Sequence, residues 1–152
     1  MSERNSGHGF GRTGHQRIAL DSNVLIYLIE TRGPLADVVA SIVDMIADGQ
    51  VVGVLSAIGL VEILVGPARV GDARLFETTA EALRDLPIRV VPLSGAIAED
   101  AAWIRGASGV GLEDAVHLAS ARAAGATAFV TNDRRIRAIT NLDVIYLDDI
   151  VA

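Results

Sequence analysis

There is no cysteine in this 152-residue chain, and no lysine. The first absence removes disulfides, thiolate nucleophiles and cysteine-based zinc sites, so any bound metal must be held by oxygen or imidazole; it also accords with a reducing cytoplasm. The second leaves arginine as the entire basic complement of 13 residues. Guanidinium suits bidentate phosphate contacts, but so complete a replacement reads as compositional bias rather than chemistry. Positive charge is also short, with a formal net charge of −6. That balance favours solubility and argues against a broad electrostatic footprint for nucleic acid, leaving room only for a local basic patch. A long hydrophobic run is missing too. The stretch from Val51 to Val65 is broken by Ser56, Gly59 and Glu62, short of the roughly 18 to 20 continuous apolar residues of a membrane span. No membrane partner is expected. The first 16 residues, MSERNSGHGFGRTGHQ, lack the apolar centre of a signal peptide and read as a disordered leader. One domain is expected over residues 17–152.

What is present is a core-forming composition, 51% hydrophobic, at a length where a single domain buries most of its apolar surface. Five short runs rich in Val, Ile and Leu read as strands: RIAL from Arg17, VVGVLS from Val51, IRVVPL from Ile88, AFVT from Ala128 and VIYL from Val144. Segments of helical period separate them. Leu35, Val38, Val39, Ile42, Val43 and Ile46 line one helix face, while Asp37, Asp44 and Asp48 fall elsewhere. Helices are expected at Val24 to Glu30, Ala57 to Val65, Asp72 to Leu86, Ser94 to Arg105 and Glu113 to Ala124, with a short one after Asn132. The alternation predicts an α/β fold, a mainly parallel sheet covered on both faces. The sequence GASGVG from Gly106 reads as a plain loop. It lacks the Lys and Ser/Thr of a phosphate-cradling loop, and no suitable strand precedes it.

In such a sheet, ligands bind beyond the carboxyl ends of the strands. Asp21 stands at one such end, although Asp21, Ser22 or Asn23 also serves as a helix cap. Glu62 is the only charged residue between Val51 and Ala68, in a helix that reads as buried on most sides. An ionised carboxylate there needs an ion pair, a proton or a bound cation, unless the position reaches water at an edge. Asp114 opens a predicted helix and Asp133 follows the fourth strand; for both, dipole or cap chemistry is the plain alternative. If the first, second and fourth strands are neighbours, all four acids converge. Two carboxylates about 4 Å apart repel by roughly 4 kcal/mol at an effective dielectric of 20. A divalent cation is the natural compensator, and oxygen ligands suit Mg²⁺ or Mn²⁺.

The stretches ALDSNVLIYLIE, LSAIGLVEILVG, LEDAVHLASARAAGATAFVTNDRRI and VIYLDDI resemble the PIN domains, most closely the VapC-like toxin ribonucleases of type II toxin–antitoxin pairs. The likeness spans nearly everything from Arg17 onward. It implies a three-layer α/β/α fold with a five-strand parallel sheet in the order 3-2-1-4-5. It also implies that Asp21, Glu62, Asp114 and Asp133 hold one or two Mg²⁺ or Mn²⁺ ions, and that Thr131 with Ser22 or Asn23 supports the acids or the attacking water. The implied activity is endonucleolytic RNA cleavage leaving a 5′-phosphate and a 3′-hydroxyl. The implied partners are a small antitoxin covering the acid groove and a second copy of the chain. Leu75, Phe76, Leu83, Trp103 and Ile104 are candidates for a dimer seam or for core. Arg69, Arg74, Arg105, Arg134, Arg135 and Arg137 are candidates for phosphate contacts. His117 reads as a core or supporting residue, Glu113 as a solvated acid, and Asp148 and Asp149 as surface caps. Two rival readings are a non-catalytic PIN-like binding module and a nuclease or phosphatase acting on another phosphate ester.

Overall fold

The five apolar runs form strands in a computed structural model that describes residues 14–30, 32–137 and 141–151. These are β1 (Arg17–Leu20), β2 (Val52–Ser56), β3 (Arg89–Val91), β4 (Ala128–Thr131) and β5 (Asp143–Tyr146). All pairings are parallel, in the order β3-β2-β1-β4-β5. The helices are α1 (Ser22–Glu30), α2 (Pro34–Ala47), α3 (Ala57–Val70), α4 (Ala73–Asp85), α5 (Gly95–Ser108), α6 (Leu112–Ala123) and α7 (Leu147–Val151). The leader expected over residues 1–16 lies outside the described residues as far as position 13. His15 is described: its Nδ1 is 2.7 Å from Thr127 Oγ1 and its Nε2 2.9 Å from Asp143 Oδ2.

Alternation along the central strands divides the core in two. Ile18, Leu20, Leu55, Ala128 and Val130 join Val24, Val39, Ile42, Ile63 and Leu83 on one face. Ala19, Val54 and Phe129 join Ile97, Ala101, Ile104, Ala115 and Leu118 on the other. A parallel sheet buried on both faces needs apolar residues at both parities, as RIAL and AFVT supply. The edge strand β3 is more exposed, consistent with its single neighbour.

Gly53 in β2 lies directly beneath α2. A Cβ there would collide with Ile46 Cδ1 and sit 3.2 Å from its Cγ1. Gly53→Ala therefore obliges the free end of the Ile46 side chain to move and is expected to cost no more than about 1 kcal/mol; a loss of several kcal/mol in urea unfolding would show that Ile46 cannot repack.

Several sequence expectations need correction. The helix expected to end at Val65 continues through Gly66 and a buried Pro67 to Val70, and stops where Gly71 adopts φ 76°. Left-handed backbone favours glycine because it has no Cβ to clash. That helix is not buried on most sides, since Val61 and Val70 are 65% and 72% exposed. No helix follows Asn132 within residues 132–137, where the chain turns at Arg134 and Arg135. GASGVG is partly helical: α5 runs on to Ser108 and ends at Gly109, which has φ 77°. Asp148 and Asp149 lie in the first turn of α7, and Asp149 pairs with Arg134 at 2.7 Å. Leu83 and Ile104 belong to the core, while Leu75 and Trp103 remain exposed.

Candidate functional site

The main-chain N–H of Asp21 bonds the carbonyl of Val130 at 2.9 Å, so β1 and β4 stay zipped up to the point where Asp21 leaves the sheet. Its carboxylate is 5% exposed. Oδ1 accepts the Ser22 N–H at 2.8 Å, and Oδ2 accepts the Thr131 hydroxyl at 2.7 Å and the Asn23 amide at 3.3 Å. Thr131, at the end of β4, also accepts the Asp133 N–H at 3.0 Å. Asn23 Oδ1 in turn accepts the Asn132 N–H at 3.4 Å. The polar residues SN after β1 and TND after β4 thus form one lattice, because the two strands are adjacent.

Glu62 approaches from α3. Ser56 begins that helix by accepting the Ile58 N–H, and its hydroxyl meets Ser120 of α6 at 3.0 Å. Between α3 and β1 stands His117 of α6, 2% exposed. Its Nε2 is 2.6 Å from Glu62 Oε1 and 3.6 Å from Asp21 Oδ1. Gly59 packs against Leu55 and the ring: a Cβ there would collide with Leu55 Cδ1 and sit 3.3 Å from His117 Cε1. Asp21, Glu62 and His117 each present one donor atom within 4.8 Å of the others. The position of His117 agrees with the sequence reading of it as a core or supporting residue. It is core by burial, and it stands among the acids.

Asp114, in the first turn of α6, and Asp133 border the same cleft of about 840 Å³, with Asp21, Glu62, Arg135 and Arg137. All four expected acids therefore face one opening, and Thr131 stands behind Asp21. Their electrostatics differ. Burial pushes the Asp21 carboxyl above its ordinary value, more than the facing His117 and the Thr131 hydrogen bond lower it. Burial likewise raises Asp114, and the charges of Asp21 and Asp133 add to the rise. Asp133 moves the other way, held down chiefly by its hydrogen bonds to Arg135. Those bonds run from Arg135 Nε to Oδ1 at 3.0 Å and from an η nitrogen to Oδ2 at 2.8 Å.

The cluster of two carboxylates and one imidazole is of the kind that can hold a divalent cation. Two carboxylates approach each other at a strand end, one of them buried and destabilised as an anion, and the nearby polar groups are oxygen-rich. Asp133 departs from that pattern, because its charge is already met by its own guanidinium. Arg135→Gln is expected to return the Asp133 pKa upward toward the ordinary carboxylate range. Carboxyl ¹³C shifts followed against pH measure this, and an unchanged titration would mean the clamp is not formed in solution.

Some parts of the site escaped the sequence reading. Ser108, Gly109, Val110 and Gly111 form a wall of the cleft, although the glycine-rich segment reads as a plain connection. Of the arginine candidates, Arg135 and Arg137 reach the cleft, while Arg134 bonds Asp149 and lies 4.2 Å over the Tyr146 ring.

The sequence matches the PIN domain family over residues 18–142, and the chain belongs to that family. Solved structures with the same fold include VapBC2 from Rickettsia felis bound to a DNA fragment from its promoter, at TM-score 0.71 and 18% identity, covering 86% of this chain and 98% of that one. A toxin–antitoxin complex from Klebsiella pneumoniae superposes at TM-score 0.65 with 21% identity, covering 86% and 97%. FitAcB from Neisseria gonorrhoeae gives 0.66 with 20% identity, covering 86% and 97%. No curated protein matches the sequence.

Proposed function

We propose that the protein is a Mg²⁺- or Mn²⁺-dependent endoribonuclease, the toxin of a type II toxin–antitoxin pair acting in the cytoplasm. The observation that carries this reading is the buried Asp21 at the carboxyl end of the central strand, facing Glu62 and bordering a cleft with Asp114 and Asp133. Asp21, Glu62, Asp114 and Asp133, which line one cleft, would hold the ion. A bound divalent ion supplies charge at the phosphate and makes a water more acidic.

The remaining work belongs to the chain. Thr131, Ser22 and Asn23 hold the Asp21 carboxylate in one orientation through the bonds described above. Arg135 and Arg137 offer guanidinium groups at the cleft for backbone phosphate, which positions a strand without reading its sequence. A phosphodiester seated there would face carboxylates for water and guanidinium for charge, the two requirements of in-line hydrolysis.

Membership in the PIN family and the toxin–antitoxin complexes among its structural relatives support the antitoxin partner. Trp103, 76% exposed, and Leu75, 44% exposed, support a homodimer seam, with Phe76 half-buried beside Leu75. Gel filtration with light scattering tests that seam. For the chemistry, labelled single-stranded RNA, DNA and a nucleotide monophosphate are incubated with the protein in Mn²⁺, Mg²⁺ or EDTA. Internal cleavage of RNA that requires the ion supports the proposal. DNA cleavage or phosphate release alone would favour the other phosphate ester, and no turnover with any substrate would favour a binding module.

A further inference from the structure

We infer that His117 is a positioning residue that holds Glu62 in place by donating a hydrogen bond from Nε2, and that it is not itself a metal ligand. The inference rests on the metal-dependent reading above and assigns a role that reading leaves open. Three donor atoms in one small volume invite the opposite conclusion, a mixed site of two carboxylates and an imidazole.

Two observations decide between them. The Nε2–Oε1 separation of 2.6 Å is a hydrogen-bond distance, and because an ionised carboxylate can only accept, Nε2 is the donor in that pairing. A nitrogen that carries that proton has no lone pair to give a cation. The second observation concerns the far side of the ring. His117 Nδ1 is buried and has no hydrogen-bond partner among the described residues. A neutral imidazole carries one N–H and one bare nitrogen. If a cation took Nε2, the proton would move to Nδ1 and leave a buried donor orphaned. Ligating histidines ordinarily donate that second N–H to a carboxylate, carbonyl or water. Here the ring is bounded by Phe129, 6.1 Å away between centroids, and by Gly59.

The consequence is an all-oxygen set around the ion, which favours Mg²⁺ and Mn²⁺ over metals that prefer imidazole. His117 then acts through Glu62, restricting a carboxylate that is otherwise about one-third exposed on α3.

Pulsed electron paramagnetic resonance of the full chain loaded with Mn²⁺ tests this directly, beside calorimetric Mn²⁺ titration of the parent, His117→Gln and His117→Leu. The Gln amide reaches the place of Nε2 and can donate to Glu62; Leu cannot. The expected results are a parent spectrum without coupling to a directly bound ¹⁴N, Mn²⁺ affinity within about threefold of the parent for H117Q, and a loss of about 10- to 100-fold for H117L. A directly bound ¹⁴N signal in the parent that disappears in H117Q would make His117 a ligand and overturn the inference. Parent-like affinity in a folded H117L would reduce His117 to packing and overturn it as well. The parent spectrum decides the ligand question even if H117L fails to fold. Failure of the parent to bind Mn²⁺ at all would instead remove the metal-dependent reading, and this assignment with it.

Discussion

An Asp21→Asn protein is expected to lose ion-dependent RNA cleavage by at least about 10³-fold, the scale of removing a group that acts on developing charge, and yet to melt at a higher temperature than the parent in EDTA. The two effects share one cause. Asp21 is 5% exposed, and burial raises its pKa above the ordinary value in spite of the opposing His117 and Thr131. A carboxyl whose folded pKa exceeds its unfolded pKa binds protons more tightly when folded. Stability therefore falls as pH rises through the interval between the two values, and the full penalty stands above the folded value. Asparagine keeps the shape and one acceptor oxygen while removing the charge; its NH2 replaces an oxygen that accepts from Ser22 or from Thr131, which offsets part of the gain. Each kcal/mol of that relief raises the melting temperature by roughly 2–4 °C at this chain length. The gap between variant and parent should close as pH is lowered toward the range where the parent carboxyl is protonated. Circular dichroism melts in EDTA at several pH values measure it. Full cleavage activity in the variant would refute the site, and a lower melting temperature at neutral pH would refute the account of the buried charge.

Divalent ion is expected to reverse that penalty in the parent. With Mn²⁺ at a hundredfold excess over its dissociation constant, binding to the folded state alone adds about 2.7 kcal/mol, or roughly 5–10 °C at about 2–4 °C per kcal/mol. EDTA should remove the gain. Protons compete with the ion at the same oxygens, and both Asp21 and Asp114 are shifted upward, chiefly by burial. The Mn²⁺ gain should therefore shrink as pH falls, beginning above the range in which an ordinary aspartate titrates. Asp133, shifted downward by Arg135, does not contribute to that early loss. Scanning fluorimetry with and without Mn²⁺ across pH provides the measurement. An equal Mn²⁺ shift in Asp21→Asn would place the ion elsewhere on the protein.

These two outcomes depend on features that differ in how openly the sequence carries them. Asp21 is legible because an apolar run followed by an acid has a local meaning in a parallel sheet, and LDSN contains both. Glu62 stands out as a single charge in an apolar stretch, although the helix around it is more exposed than its composition suggests. Arg135 illustrates the limit. A basic residue two positions from an acid is commonplace, and only the turn at Arg134 and Arg135 folds the guanidinium back onto Asp133. The wall formed by Ser108 to Gly111 is similarly hidden: Gly109 ends α5 locally, but only the packing of α5 and α6 brings that end to the acids.

By itself, the sequence determined the alternation of strands and helices, the two-sided burial of β1 and β4, and which oxygen-bearing side chains stand at strand ends. These are properties of short windows, in which backbone periodicity and apolar patterning act on neighbouring residues. Only the tertiary structure decided that His117 meets Glu62 and that one of the four acids already has a cation of its own. The first of these contacts joins residues far apart in the chain. It follows from strand order and from how each helix is turned on the sheet, which are set by packing of the whole core.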